Sequence, residues 1–267
     1  MIRKAVVAGQ FYPGGKAALA AEVRSLLGAD RAKEEATAAV CPHAGYMYSG
    51  EVAAAVYARL NVPKQVVILC PNHTGRGHPS AVMSEGAWET PLGQVPINTP
   101  LASRIKEGAS LLEDDALAHL GEHSLEVQLP FLQQVRPDVE MVPLCLSPMN
   151  YFTCQELGSA LARAISSWKD RVLLLASTDM THYESQEAAR RKDNLAIEKI
   201  LTLDPAGLHR TVVSQSISMC GYVPTTVVLA AAKELGARQA ELVLYRTSGD
   251  VTGDFDQVVG YAGIIIK

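Results

Sequence analysis

Short apolar runs rich in β-branched residues alternate along the chain with segments of helical spacing, and this alternation constrains the fold most strongly. Six runs have the length and composition of buried strands: 36–41, 65–70, 140–146, 171–177, 241–246 and 258–266. Four segments have helical spacing: 16–27, 156–165, 185–203 and 224–235. The pattern predicts an α/β fold whose central mixed or largely parallel sheet is flanked by helices on both faces.

The segment 80–100 interrupts this alternation. It contains Trp88-Glu-Thr-Pro-Leu-Gly, which is rich in turn-forming residues, and it predicts a hairpin or an excursion over the sheet edge. No repeat, low-complexity tract or linker divides the 267 residues. Since this length is within reach of one large α/β domain, residues 1–267 are predicted to form a single domain.

Composition and charge exclude several classes of protein. The chain is 48% hydrophobic and 19% charged, so it can bury a large core. A net charge of −4 argues against nucleic acid as a partner. The apolar runs are far shorter than the roughly 20 residues of a membrane helix, and the N-terminal apolar stretch is too short for a signal peptide. We therefore expect a cytoplasmic protein that does not bind membranes.

Three predicted strands lead directly into a histidine. His43 follows the first in Cys-Pro-His-Ala-Gly, His73 follows the second in Pro-Asn-His, and His182 follows the fourth in Ser-Thr-Asp-Met-Thr-His. Ligands of open α/β sheets bind beyond the carboxyl ends of the strands, and neutral imidazole is the commonest protein metal ligand. A single histidine near a strand end is more often a structural, hydrogen-bonded residue. Three histidines in equivalent positions after strands favour a metal site.

Two further residues carry reactive side chains, and each keeps an alternative interpretation. His123 lies in Gly-Glu-His-Ser-Leu-Glu, a predicted helix start with Leu125 and Leu129 facing inward, where it either supports the site or braces the helix end. Cys220 precedes Gly221 ahead of a predicted helix, where the helix dipole stabilises a thiolate. Such a cysteine suits a metal ligand or a nucleophile, but it could also be inert. The other strand-associated cysteines, Cys41, Cys70 and Cys145, are expected to pack in the core.

Five ordered motifs together resemble the Memo family. They are Cys-Pro-His-Ala-Gly-Tyr-x-Tyr-Ser-Gly at 41–50, Pro-Asn-His at 71–73, Gly-Glu-His-Ser-Leu-Glu-x-Gln-Leu-Pro-Phe at 121–131, Ser-x-Asp-x-x-His at 177–182 and Cys-Gly at 220–221. Gly-Gln-Phe-Tyr-Pro at 9–13 also fits. The resemblance includes protein B of the AmmeMemoRadiSam system and implies a fold similar to class III extradiol dioxygenases, with the other components of that system as possible protein partners.

The resemblance also implies roles for individual residues. His43 and His73 fall on the two histidine ligands that those enzymes use for Fe(II), His182 on their acid–base histidine, and Cys220 where they place a carboxylate ligand. A thiolate is softer than a carboxylate and shifts metal preference, so Fe(II) or Cu is expected, with Zn possible.

The resulting hypothesis is a metal-binding redox protein or oxygenase-like enzyme acting on an unknown small molecule. In it, Asp179 orients His182 as an acid–base pair, and His123 is an additional ligand or a polar neighbour of the site. Two alternatives remain open. One is a non-catalytic peptide- or partner-binding protein with a vestigial metal site. The other is a metal-independent hydrolase with Cys220 as nucleophile and His182 as base.

Overall fold

Four parallel strands made almost entirely of buried apolar residues form the centre of the main sheet. The computed structural model describes residues 1–29 and 32–267. The strands are β1 (Ile2–Arg3), β2 (Ala38–Cys41), β3 (Gln65–Pro71), β4 (Ser80–Val82), β5 (Ala87–Thr90), β6 (Gly93–Pro96), β7 (Glu113–Asp114), β8 (Glu140–Leu146), β9 (Val172–Ser177), β10 (His182–Glu184), β11 (Ala240–Thr247) and β12 (Val258–Ile266). The parallel centre has the order β2-β9-β3-β8. Near-continuous apolar sequence is typical of strands buried on both faces.

The remaining strands make the sheet mixed. β12 runs antiparallel to β2 and carries β10 and β11, both antiparallel, on its far side. At the other edge β4 is antiparallel to β8 and parallel to β7. The main sheet has nine strands among the residues described. This arrangement confirms the predicted mixed sheet, in which the parallel part is confined to the four central strands and the pair of β4 and β7.

Helices cover both faces of the sheet. They are α1 (Lys16–Leu27), α2 (Tyr46–Tyr57), α3 (Thr99–Gly108), α4 (Leu117–Leu120), α5 (Leu129–Val135), α6 (Tyr151–Ser166), α7 (Gln186–Leu201), α8 (Pro205–Ser214), α9 (Tyr222–Glu234) and α10 (Gly249–Thr252), with a 3-10 helix at Glu126–Gln128. Gly263 of β12 lies against Val52 and Val56 of α2, whereas Gly260 lies against Asp193 of α7. Because residues 260 and 263 point to opposite faces of a strand, α2 and α7 flank opposite faces.

The predicted elements are confirmed, and the structure adds others. All six predicted strands and all four predicted helices are present, with small shifts of their ends. In the segment 80–100, β5 and β6 form the expected hairpin, which joins β1 in a separate three-stranded sheet. Helices α2, α3, α4, α8 and α10 were not predicted. The buried residues form one contiguous hydrophobic core, and no helix in the ranges 1–29 and 32–267 is long and apolar enough to cross a membrane.

The segment 121–131 differs from its prediction in where the helix begins. Leu125 and Leu129 are fully buried, as expected. The 3-10 helix begins at Glu126, and ahead of it the side chain of Glu122 accepts hydrogen bonds from Ser124. His123 lies in the loop before this helix, and its backbone carbonyl accepts the N–H of Val127 at 3.1 Å.

The first twelve residues form an N-terminal strap that is tied to this loop by a buried ion pair. The guanidinium of Arg3 pairs with Glu126, donates to the backbone carbonyls of His119 and Glu122, and stacks on the Trp88 ring. Arg3 is 1% exposed and Glu126 is 0% exposed. Glu126 also accepts hydrogen bonds from strap residues, namely the backbone N–H groups of Val6 and Val7 and the Tyr12 hydroxyl. The strap thus holds the loop that carries His123.

Candidate metal and proton-transfer site

Three adjacent parallel strands place polar side chains at equivalent points beyond their ends. β2 ends at Cys41, β9 at Ser177 and β3 at Pro71, and His43, Asp179 and His73 each lie two residues further along. Since the strand order is β2-β9-β3, Asp179 is delivered between the two histidines. The ring centroids of His43 and His73 are 5.3 Å apart. His43, His73 and Asp179 therefore lie together beyond the carboxyl ends of the parallel strands, as the strand ends predicted.

His123 completes a cluster of three imidazoles. Its ring stacks on His73 at 4.8 Å and meets His43 edge-on at 5.6 Å between centroids. Each of the three histidines offers one ring nitrogen, and these nitrogens all lie within 4.8 Å of one another. Burial and the neighbouring imidazoles hold the pKa of His43 well below its usual value, and burial lowers the pKa of His123. Both rings are therefore neutral, as metal ligation requires.

The fully buried carboxylate of Glu122 organises this cluster. Its Oε1 accepts from Nδ1 of His73 at 2.9 Å, and its Oε2 accepts from the His73 backbone N–H at 2.7 Å. Burial would raise the pKa of Glu122, but the bonds from His73 and Ser124 outweigh burial and lower that pKa to about 2. Conversely, burial lowers the pKa of His73, but the bond to Glu122 outweighs it and the net pKa is raised. Glu122 was not predicted to belong to the site, although it directly precedes His123 in the sequence.

The ring of His43 is fixed by a residue at the end of β9. Its Nδ1 lies 2.9 Å from the hydroxyl of Ser177, which is itself 0% exposed. Nδ1 of His73 and Nδ1 of His182 likewise face oxygen acceptors, the carboxylate of Glu122 and the backbone carbonyl of Ser218. In His43, His73 and His182, Nδ1 is therefore hydrogen-bonded within the chain, and Nε2 is the nitrogen that remains for the cavity.

Cys220 lies beside His43 but outside the cluster of three. Its Sγ is 3.3 Å from Nε2 of His43 and accepts the backbone N–H of Asp179 at 3.3 Å. The residue stands two positions before the start of α9, as expected. Burial, reinforced by the charge of Asp179, raises the pKa of the Cys220 thiol, so in the metal-free protein it is protonated at neutral pH. Three ligand atoms lie within 4.8 Å of one another in the set His43, His73 and His123. The set predicted from the sequence, His43, His73 and Cys220, stays a prediction.

The predicted hydrogen bond between Asp179 and His182 is not formed. Oδ1 of Asp179 instead accepts the backbone N–H of His43 at 2.7 Å, and its Oδ2 lies 4.0 Å from Nε2 of His43. His182 is oriented by Ser218, whose hydroxyl accepts the His182 backbone N–H and whose carbonyl faces Nδ1. The direct pairing is wrong because β10 begins at His182, and its pairing with β12 directs the ring towards Ser218.

A cavity of about 360 Å³ joins these groups. His43, His73, His123, Asp179 and His182 all line it. Its remaining walls are largely aromatic: Phe11, Tyr48, Tyr183 and Tyr261 contribute to them. The cavity is large enough for a small molecule, and the three clustered imidazoles and the ring of His182 all line it.

The donor set fits a transition-metal ion. Three nitrogens bound to one ion at about 2.1 Å lie about 3.4–3.6 Å apart in tetrahedral or trigonal geometry. The 4.8 Å limit on the three ring nitrogens therefore requires them to move together by at most about 1.4 Å. Bond lengths of about 2.1 Å to nitrogen and 2.3 Å to sulfur give a tetrahedral N–S separation of about 3.6 Å. The 3.3 Å between His43 Nε2 and Cys220 Sγ is close to that value.

The fold and site together define an α/β protein with a histidine-rich centre at the carboxyl edge of its parallel strands. Residues 3–265 match the family described as Memo-like protein. The chain is 42% identical to a MEMO1 family protein of Methanopyrus kandleri over 100% of its own length and 99% of that protein. It is 44% identical to a MEMO1 family protein of Methanosarcina mazei, with the same coverage. The chain belongs to the Memo family.

A solved structure supports the fold independently. The crystal structure of the uncharacterized protein JW3007 from Escherichia coli K12 matches with a TM-score of 0.58 at 17% identity, covering 85% of this chain and 98% of that one. At this identity the match shows a shared fold and nothing about activity. The similarity to class III extradiol dioxygenases stays a prediction.

Proposed function

We propose that this protein binds one redox-active transition-metal ion, Fe(II) or Cu, and uses it to act on a small molecule held in the aromatic cavity. The cluster of His43, His73 and His123 carries this proposal, because one ring nitrogen of each lies within 4.8 Å of the other two, close enough for a single ion to draw all three into bonding distance. Structural histidines are usually dispersed and do not turn their free nitrogens toward one point.

The residues around the cluster suit the proposed chemistry. Glu122 and Ser177 hold the rings of His73 and His43 through their Nδ1 atoms, as partners of ligating histidines usually do. A bound transition metal would supply Lewis acidity and one-electron redox capacity. His182, with Nδ1 facing the Ser218 carbonyl, presents Nε2 to the cavity as a proton acceptor for a bound substrate. The buried carboxyl group of Asp179 lines the same cavity and accepts the backbone N–H of His43.

Metal titration of the chelator-treated protein tests the proposal. Fe(II) under anaerobic conditions, Cu(I) and Zn(II) are titrated separately into the wild type and the variants His43→Ala, His73→Ala, His123→Ala and Cys220→Ser. Losing a hydrogen-bond partner of a ligating histidine costs about 10- to 100-fold in metal affinity. Replacing a histidine ligand should cost more than that.

Two variants outside the site serve as controls. His78→Ala removes a histidine whose ring bonds the Ser80 carbonyl, and Cys154→Ser alters a buried cysteine on α6. Both should bind metal as the wild type does. Absence of binding in the wild type, or equal affinity in the ligand variants and these controls, would contradict the proposal. It would favour the partner-binding alternative.

The contact between Cys220 and His43 supports a second candidate, a metal-independent thiol enzyme with Cys220 as nucleophile. A sulfur 3.3 Å from an imidazole nitrogen has the spacing of a thiol–base pair, although the base would be His43 and not His182. Burial raises the pKa of this thiol, and this opposes the metal-free nucleophile. Alkylation of Cys220 by iodoacetamide separates the two functions. The metal-binding proposal predicts slow alkylation in chelator, whereas an activated nucleophile would react rapidly.

A further inference from the structure

The hydroxyl of Ser177 has three hydrogen-bond partners, and together they determine where its hydrogen lies. Its Oγ is 2.7 Å from the carbonyl oxygen of Ser124, 2.9 Å from Nε2 of Gln128 and 2.9 Å from Nδ1 of His43. A hydroxyl has one hydrogen to donate and two lone pairs that accept. The Ser124 carbonyl can only accept, so it takes the Ser177 hydrogen.

The amide of Gln128 occupies one of the two lone pairs. Its Nε2 also donates to the carbonyl of Pro42 at 2.9 Å, and its Oε1 accepts from the Tyr57 hydroxyl at 2.9 Å. The acceptor at Pro42 fixes which end of the amide carries the nitrogen, and Gln128 is fully buried. Its NH₂ group therefore donates to Ser177.

The remaining lone pair of Ser177 faces Nδ1 of His43, so Nδ1 must donate. The reverse arrangement would leave the buried Ser124 carbonyl 2.7 Å from an oxygen with no hydrogen between them, which is unfavourable for a buried acceptor. The neutral ring of His43 consequently carries its proton on Nδ1 and has a bare Nε2. That nitrogen is the one directed at Cys220 and the cavity.

We propose that Ser177 is a positioning residue that, held by Gln128 and the Ser124 carbonyl, fixes the Nδ1–H tautomer of His43. The tautomer itself follows from hydrogen bonds within the chain. Its consequence for metal affinity rests on the proposed function. His73 and His182 differ from His43 in that their Nδ1 atoms face acceptors that have no hydrogen to give, the Glu122 carboxylate and the Ser218 carbonyl. Of these three rings, only His43 has a hydroxyl as its Nδ1 partner, and a hydroxyl can either donate or accept a hydrogen bond.

The decisive measurement is a long-range 1H–15N correlation spectrum of the histidine rings in 15N-labelled, chelator-treated protein. The His43 signals are assigned by their loss in His43→Gln. The wild type should show His43 with its proton on Nδ1. In Ser177→Ala the ring loses this acceptor and should shift towards the Nε2–H form, whereas His73 and His182 should keep their signals. Ser177→Thr retains the hydroxyl and should restore the wild-type pattern.

A parallel Zn(II) titration measures the consequence for metal binding. Ser177→Ala should weaken Zn(II) binding about 10- to 100-fold, as expected when a ligating histidine loses its hydrogen-bond partner. The control Ser84→Ala removes a serine bonded to Asp114, away from the cavity, and should bind Zn(II) as the wild type does.

The outcomes separate the two proposals. If His43 carries its proton on Nε2 in the wild type, or if its tautomer does not change in Ser177→Ala, the assignment to Ser177 is overturned. The wild-type spectrum decides the tautomer even if Ser177→Ala does not fold. A wild-type protein that shows the expected tautomer but binds no metal would contradict the proposed function and leave the role of Ser177 intact.

Discussion

The carboxyl group of Asp179 is buried in the candidate site, and its surroundings disfavour its charged form. It is 4% exposed, and burial raises its pKa to about 6 even though the His43 backbone N–H bonds to it. An unfolded aspartate has a pKa near 3.9. Between these values the folded state binds a proton that the unfolded state does not, so this group's contribution to stability falls as pH rises.

The first prediction follows from the direction of this pH dependence. In chelator-treated protein, Asp179→Asn should increase the free energy of unfolding at pH 7 by up to about 3 kcal/mol, because it removes a buried charge and keeps an oxygen for the His43 N–H. The gain should shrink as pH falls through 6 and vanish near 4. Urea unfolding at pH 4, 5, 6 and 7 measures it.

Asp256→Asn, in an exposed loop, serves as the control and should change stability by less than about 0.5 kcal/mol. A gain for Asp179→Asn that did not depend on pH would contradict the assignment. Since Ser218 orients His182, the His182 tautomer should be unchanged in Asp179→Asn.

At the scale of elements, the approach of α9 to the end of β9 depends on a glycine. A Cβ added to Gly221 would lie 2.4 Å from the Cβ of Thr178 and 2.5 Å from the carbonyl oxygen of Ser177. Both contacts are far shorter than van der Waals separation, and one is with backbone. Because Cys220 immediately precedes Gly221, any displacement here moves its sulfur relative to His43.

The second prediction is therefore that Gly221→Ala destabilises the fold by about 1–3 kcal/mol or more and weakens any contribution of Cys220 to metal binding. Gly15→Ala is the matched control. Both glycines immediately precede a helix, but a Cβ on Gly15 meets nothing within 4 Å. Thermal unfolding of the two variants measures the difference. Equal stability would show that the close approach relaxes without cost.

The N-terminal strap and the His123 loop behave as one element through Arg3 and Glu126. The third prediction is that Glu126→Ala destabilises the protein by about 3–5 kcal/mol, because it leaves a buried guanidinium without its partner. The neighbouring pair of Lys4 and Glu89 is largely exposed, so Lys4→Ala should cost less than about 1 kcal/mol. Urea unfolding compares them. A similar cost for both variants would mean that the buried pair is not what holds the strap.

For the whole molecule, metal binding at the cavity is coupled to global stability. The fourth prediction is that Zn(II) at a hundred times its dissociation constant raises the free energy of unfolding by about 2.7 kcal/mol, since only the folded chain brings the three histidines together. Thermal unfolding with and without Zn(II) measures it, and His43→Ala should abolish the increase. An equal increase in that variant would place the bound metal elsewhere.

The sequence predicts the framework of this molecule better than its polar interior. Strands such as β8 and β12 are continuous apolar runs, and their predicted ends coincide with those observed. Helix α2 was missed because eight of its twelve residues are buried, so it lacks the polar face that marks a helical period.

The same contrast holds within the candidate site. His43, His73 and Asp179 could be placed together because the strands that precede them are recognisable and parallel. The hydrogen-bond partners of the histidine rings could not be predicted. Nothing in the sequence distinguishes Ser177, Gln128 and Ser218 from other polar residues, and only the folded chain places them beside the site. The expected pairing of Asp179 with His182 failed for this reason: nearness in sequence did not predict which backbone carbonyl would face the ring.

The position of β12 has a consequence for how the protein acquires a metal in a cell. β12 pairs with β2, the strand that delivers His43, although roughly two hundred residues separate them along the chain. Val259 and Tyr261 of β12 also line the cavity. While the ribosome is still translating, β2 has no partner on that side and the cavity has no wall there. Metal loading is therefore expected to wait until β12 has been synthesised and has paired with β2, so that the metal binds a chain that has already folded.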